Sequence, residues 1–264
     1  MAFYTSAEMQ VSSNRIVYRG YNDSGHPVSH KYEFSPTLYL PSDQPTGFKS
    51  LDGYDVKPYE FNSINECRNF VKESGSVDGF VYYGMEKIVT QFIQEKFPDD
   101  IKFVRSQINV VNFDIEVHSE DGFPTPEEAA HPVTSICAKS SRGSIYHVFA
   151  YGDYDVEATE HKHLMIQYHK CNDEEEVLRK FMHWWTSDYP DIITGWHMRF
   201  FDVPYLINRM TKLFGESFAK KLSPWNNIWK KTVTYQKRVL DSYQLLGITQ
   251  MDYIDLFQKF TYQN

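Results

Sequence analysis

The chain has 264 residues, with 27 basic against 35 acidic side chains and a formal charge of −8; 41% of its residues are hydrophobic and 23% charged. That length holds one large domain or two ordinary ones around a real core, and the composition excludes a disordered chain. No apolar run approaches the roughly 18 residues of a membrane span, and a net acidic chain binds nucleic acid only through a local patch.

The opening MAFYTSAEMQ lacks the basic-then-apolar order of a secretion signal. Cys67, Cys137 and Cys171 are odd in number and far apart, which fits a reducing cytoplasm rather than a disulfide framework. Residues 1–104 read as a first, α+β unit. Ile16 to Tyr21 and Val28 to Phe34 flank Asn22-Asp23-Ser24-Gly25 as a β-hairpin. Ser63 and Glu66 have capping-box spacing ahead of a helix over Ile64 to Glu73, with Phe61 before them. A second helix is predicted over Lys87 to Phe97, with Ile88, Phe92 and Ile93 inward.

Residues 105–264 read as a second, α/β unit. Strands are predicted over Ile108 to Val117, Val133 to Ser140 and Ser144 to Tyr151, followed by an acidic loop. Asp173 with Glu174, Glu175 and Glu176 starts a helix, since carboxylates favour its N-terminal dipole; Val177, Phe181 and Trp184 or Trp185 form its apolar face. A short buried strand covers Asp191 to Trp196. A helix then runs to Phe214, with Pro204 in its first turn and Gly215 beyond its end. Lys231 to Gly247 fits a long hairpin and Asp252 to Phe260 a last helix. Three strands, helix, strand, helix imply a sheet with an antiparallel hairpin beside a parallel strand.

Asp114 and Glu116 lie two apart on a strand, so they share one face while Phe113, Ile115 and Val117 enter the core. Carboxylates on an apolar strand are expensive unless solvated, paired or bound to a hard cation such as Mg²⁺ or Mn²⁺. Taken alone, the pair reads rather as a strand with one solvated face than as a metal site. Asp202 stands where a strand has ended and a helix begins, where it can cap the helix or complete a three-carboxylate floor.

Phe113-Asp114-Ile115-Glu116-Val117 and Phe201-Asp202-Val203-Pro204-Tyr205 resemble the first and second exonuclease motifs of family B DNA polymerases, of the T-even-phage type. Gly122-Phe123-Pro124-Thr125-Pro126, Phe34-Ser35-Pro36-Thr37-Leu38 and Met251-Asp252-Tyr253-Ile254-Asp255-Leu256 extend the resemblance, in order, over nearly the whole chain. It implies an N-terminal domain followed by a ribonuclease-H-like 3′–5′ proofreading exonuclease of the DEDD type. It also implies two Mg²⁺ or Mn²⁺ ions held by Asp114, Glu116 and Asp202, and contacts with a single-stranded DNA 3′ end from Phe123, His197 and Phe201.

His197 stands where such proteins usually carry Asn, and brings a bulkier group that titrates near neutrality. The third motif, Tyr-x-x-x-Asp, does not follow Asp202 before Asn264, and the palm, fingers and thumb of a polymerase are absent. The exonuclease domain is therefore expected to be incomplete at its C-terminus, and a second polypeptide, or the remainder of a truncated one, to carry the rest. The expected setting is DNA replication in the cytoplasm (of a host cell if the protein is phage-encoded), without a membrane. The contrasting expectation is a catalytically silent nucleic-acid-binding or assembly module.

Tyr151-Gly152-Asp153-Tyr154-Asp155 looks like a palm motif but lies between the two exonuclease motifs, and reads as a solvated loop. His161, His163, His169 and Cys171 have no known zinc-finger spacing and read as loop surface. From Val203 to Leu240, Arg209, Lys212, Lys220, Lys221, Lys230, Lys231, Lys237 and Arg238 face only Glu216, giving +7 against −15 elsewhere. Such a segment either tracks a DNA backbone or is a solvated helix and hairpin.

Overall fold

The computed structural model describes residues 2–120, 122–155, 157–158, 160–235 and 238–261. It divides into two compact units, Met1–Phe103 and Val104–Asn264.

In the first unit, β1 (Phe3–Gln10), β2 (Arg15–Tyr21) and β3 (Pro27–Glu33) form an antiparallel sheet in the order β1-β2-β3. Asn22 closes the expected hairpin: its side-chain oxygen accepts the backbone N–H groups of Ser24 at 3.0 Å and His26 at 2.9 Å, the usual reason for Asn in turns. A second hairpin pairs β4 (Thr37–Pro41) with β5 (Val56–Glu60). Helix α1 (Ile64–Ser74) is capped by Ser63, whose hydroxyl accepts Glu66 N–H at 3.1 Å. The Glu66 carboxylate reaches past the capping residue to Asn62 N–H at 2.9 Å, so the box closes one residue early. Helix α2 (Ile88–Lys96) buries Ile88 and Phe92 against Ile16, Tyr18, Leu38, Phe61, Ile64 and Cys67.

The second unit is built on a six-stranded sheet. Its members are β6 (Val110–Val117), β7 (Val133–Ser140), β8 (Ile145–Tyr151), β9 (Met165–Cys171), β10 (Ile192–Gly195) and, after a two-stranded hairpin of β11 (Ile228–Tyr235) and β12 (Arg238–Leu245), β13 (Thr249–Asp252). The order is β13-β10-β6-β7-β8-β9. β10 runs parallel to both β6 and β13, β7 is antiparallel to β6 and β8, and β9 is parallel to β8. Helix α3 (Glu174–Ser187) is capped by Asp173 at Glu176 N–H, 2.9 Å away, and packs across β7, β8 and β9. Helix α4 (Asp202–Phe214) follows β10; the short α5 (Glu216–Ala219) and a terminal α6 (Tyr253–Thr261) complete the unit. The core packs on the Phe113 face of this sheet: Phe113 lies edge-on to Trp185 at 5.9 Å between ring centres, with Ile193, Val203, Leu206 and Leu245 in the same cluster. No helix among the described residues is long and apolar enough to cross a membrane.

Five strands, β1, β4, β5, β9 and β13, were not expected from sequence; β4 lies within the Pro36 to Pro45 stretch, whose prolines argue against regular structure. β1 and β9 carry polar residues at about every second position and lie at sheet edges, while β13 has four residues. The segment before Asp173 is therefore strand and not acidic loop throughout, and His169 and the buried Cys171 belong to the sheet. Asp202 is not a helix cap: the cap position is Phe201, which makes no side-chain cap bond. The Lys231 to Gly247 hairpin is present from Ile228 to Leu245, and its turn at residues 236–237 lies outside the described residues.

Candidate active site

Strand alternation places Val111, Phe113 and Ile115 in the core and Asp114 and Glu116 on the exposed face of β6. A bulge follows Glu116, where Val117 pairs with Val133 after Glu116 has paired with Ser135; bulges of this kind re-aim side chains at the ends of strands.

Asp202 arrives from the other side. β10 ends at Gly195, the chain turns through residues 196–201, and Asp202 begins α4 at 3% exposure. Its Oδ1 accepts the N–H of Ile115 at 3.0 Å, so the carboxylate leaves its own helix and seats on β6 beside Asp114. Burial first, then the charge of Asp114 and that of Asp252, pushes the Asp202 carboxyl up to about 7, partly offset by the Ile115 N–H. The Asp114 carboxyl is also raised, by partial burial. Two acids that resist ionising together are the electrostatic imprint of a site that gains from a cation. Glu116 shares the face of Asp114, but among the described residues no three His, Cys, Asp or Glu side chains are gathered to hold an ion. The donor chemistry thus fits a hard divalent ion at the Asp114–Asp202 pair, while the three-carboxylate floor is not assembled as a cluster.

Gly195 makes the approach of the two strands possible. A methyl group there would meet the carbonyl oxygen of Phe113 at 2.7 Å and the Met198 Cβ at 3.2 Å. Gly195→Ala is expected to prise β10 from β6 beside Asp114 and to lower stability by about 1–3 kcal/mol, the usual effect of overpacking; a thermal melt unchanged from wild type would show that the strands part without strain.

Aromatic groups stand around the pair. Phe123, 82% exposed, faces Phe201 at 5.2 Å between ring centres, and so is not packed beneath its neighbouring prolines. His197 has φ of 60°, a left-handed conformation in which Asn, Asp and His are the best tolerated residues other than Gly. The backbone conformation is one that both His and Asn adopt. The His197 Nδ1 is buried without a hydrogen-bond partner among the described residues, and its ring lies 5.8 Å from that of Phe200. Two residues of this region were not singled out from sequence: Trp196, 58% exposed at the start of the turn, and Asp252, 3% exposed at the end of β13. An exposed Trp beside a Gly was the available sign for the first. Asp252 belongs to the Met251 to Leu256 string of the resemblance, but by itself reads as an ordinary helix start.

The basic segment is less uniform than its charge count. Arg209 is buried, with its Nε and Nη2 on the Glu174 carboxylate at 2.8 and 2.7 Å, and so does not face DNA. Lys220 pairs with Glu216 and Lys230 with Asp241, while Lys212 and Lys221 are exposed. Lys237 and the Arg238 side chain lie outside the described residues. Asp153 pairs with Lys170 and Tyr154 stacks on Tyr168, so the palm-like string is a surface loop. His161 and His163 face each other at 6.1 Å, whereas His169 Nε2 meets His147 Nδ1 at 3.0 Å and Cys171 bonds the His169 carbonyl, so these groups do not converge.

The mixed six-stranded sheet with helices α3 and α4 has the ribonuclease-H-like fold. Residues 85–264 match the model of the family "DNA polymerase family B, exonuclease domain", and the chain belongs to that family. It is 30% identical to the DNA-directed DNA polymerase of Escherichia phage RB69 and 27% identical to that of Enterobacteria phage T4; each match covers 99% of this chain and 31% of the relative. The chain thus spans about a third of the length of those curated relatives. The solved family B DNA polymerase of the hyperthermophilic archaeon Pyrobaculum calidifontis has a similar fold, with a TM-score of 0.58 at 16% identity over 98% of this chain and 37% of that one.

Proposed function

We propose that the chain is the N-terminal and exonuclease portion of a family B DNA-directed DNA polymerase, acting in 3′–5′ proofreading during replication, with a second polypeptide supplying the third exonuclease motif and polymerisation. The observation that carries this reading is the buried Asp202 carboxylate held against β6 beside Asp114, with its pKa pushed up to about 7.

Asp114, Glu116 and Asp202 would hold two Mg²⁺ or Mn²⁺ ions. Such ions, when bound, lower the pKa of water and stabilise a leaving 3′-oxygen. Asp202 must ionise to serve as a ligand, and a positive charge arriving beside it and Asp114 offsets the repulsion that raises its carboxyl. Phe123, exposed and backed by the half-buried Phe201, offers an aromatic surface on which a frayed terminal base can stack, and His197 lies on the turn that joins this surface to Asp202. Residues 1–104 and 105–264 would be the two functional domains, and the compartment the cytoplasm in which replication occurs.

A second reading, a catalytically silent nucleic-acid-binding or assembly module, is favoured by one observation: the three carboxylates are not gathered into a metal cluster. Nuclease assays separate the two. The chain alone should release 3′ nucleotides from single-stranded DNA slowly or not at all, because three carboxylates compensate two divalent ions less well than four. Mixing with the partner chain should restore Mg²⁺-dependent release. Full activity of the chain alone would refute the need for a second chain; no release from the assembled pair would refute the exonuclease reading.

A further inference from the structure

We propose that Asp252 is a positioning residue for this site, holding the turn that carries Trp196 and His197 and, through that turn, the placement of Asp202 on β6. The catalytic consequence rests on the exonuclease reading above; the structural one does not.

Asp252 is the last residue of β13 and pairs with Gly195 at the end of β10. Its carboxylate is 3% exposed and makes no ion pair with Lys or Arg among the described residues. Three backbone N–H groups receive it instead: Oδ1 accepts from His197 at 2.9 Å and Ile254 at 3.0 Å, and Oδ2 accepts from Arg199 at 2.9 Å. Two of these donors lie on the turn between β10 and α4. A buried carboxylate leaves such donors only at the full penalty of desolvation, which makes this a stiff clamp on an otherwise irregular segment.

The clamp continues to Asp202 without a break. The His197 carbonyl accepts Phe200 N–H at 3.2 Å and Phe201 N–H at 3.1 Å, and the Met198 carbonyl accepts Val203 N–H at 3.0 Å, the second residue of α4. Asp202 lies between these anchors, and its Oδ1 then reaches Ile115 N–H. The same clamp fixes the strained His197 backbone and the exposed Trp196, whose ring meets Phe257 of α6 at 6.1 Å. Asp252 meets His197 and Arg199 only at their backbone N–H groups, and so acts through the turn rather than on substrate.

Residue-resolved amide exchange on the full chain tests this. In Asp252→Asn, exchange should speed up by about tenfold or more at His197 and Arg199, and also at Ile115, whose amide is held by Asp202 across the site, while the β6–β7 ladder keeps its protection. Acceleration at His197 and Arg199 with Ile115 unchanged would make Asp252 a local cap only and overturn the proposal. Should the variant fail to fold, the wild type decides: His197 and Arg199 amides exchanging as fast as that of Trp196 would overturn it too. In the nuclease-competent assembly, Asp252→Asn should lower kcat by about 100-fold with KM for the DNA end nearly unchanged, as expected for misplaced rather than missing groups; retained kcat would overturn the catalytic part. Absence of nuclease activity in the wild type would sink the exonuclease reading alone, leaving the exchange result to decide whether Asp252 positions Asp202.

Discussion

Asp202→Asn should stabilise the metal-free protein at about pH 8 while removing its nuclease function. Asp202 is an acid whose native pKa, about 7, lies above its ordinary value of 3.8. Between these values the native state keeps a proton that the unfolded chain has released, so stability falls as pH rises through this window and stays low above it. Three units correspond to about 4 kcal/mol at most, and about 2–4 kcal/mol is a reasonable expectation for a buried group near a second carboxylate. Asn keeps an oxygen for the Ile115 N–H and removes the charge. The midpoint of thermal unfolding should rise by roughly 4–16 °C at about pH 8 and coincide with wild type near pH 4. Saturating Mg²⁺ should narrow the gap by stabilising wild type alone. A variant equal to wild type at high pH would show that Asp202 ionises without penalty, and the case for a cation at this pair would fall with it. Asp114→Ala should likewise abolish Mg²⁺-dependent release of 3′ nucleotides by the assembled protein while leaving DNA binding largely intact; retained release would place the chemistry elsewhere.

Arg209→Met should destabilise the second unit by about 3–5 kcal/mol, the usual result of stranding one member of a buried ion pair. Arg209 and Glu174 have side-chain exposures of only 11% and 12% and meet at 2.7 Å. The guanidinium also donates to the carbonyls of Ala129 and Ala130 at 3.2 and 3.1 Å, and Glu174 accepts the Val133 N–H at 2.7 Å. One pair thus ties α4, which carries Asp202, to α3 and to the start of β7. The thermal midpoint should drop by roughly 6–20 °C, and the double variant Arg209→Met, Glu174→Gln should lose less than the sum of the single ones, because no charge is then left buried. Additive losses would mean that the two residues act independently despite their contact.

What sequence could show and what it could not differ by residue in a regular way. The Asn22 turn, the Ser63 and Asp173 caps and the Ile88–Phe92 face were legible because each depends on bonds within a few residues. The common face of Asp114 and Glu116 was legible for the same reason, since strand geometry alone sets it. β9 was missed because its alternation of Met165, Gln167 and His169 with Ile166, Tyr168 and Lys170 is not that of a half-buried strand; pairing with β8 makes it one. Arg209 was counted as surface charge because charge is a property of sequence, whereas its burial depends on Glu174, 35 residues away.

The sequence by itself determined many of the local elements and, through its ordered motifs, the family. Only the tertiary structure decided that Asp202 seats on Ile115, 87 residues away, rather than capping its own helix, and that Asp252 clamps the turn between them from 55 residues beyond His197. The physical reason is that a carboxylate has several nearly equivalent hydrogen-bond solutions close at hand. Which one it adopts is set by donors that the sheet brings within 3 Å only after the chain has folded.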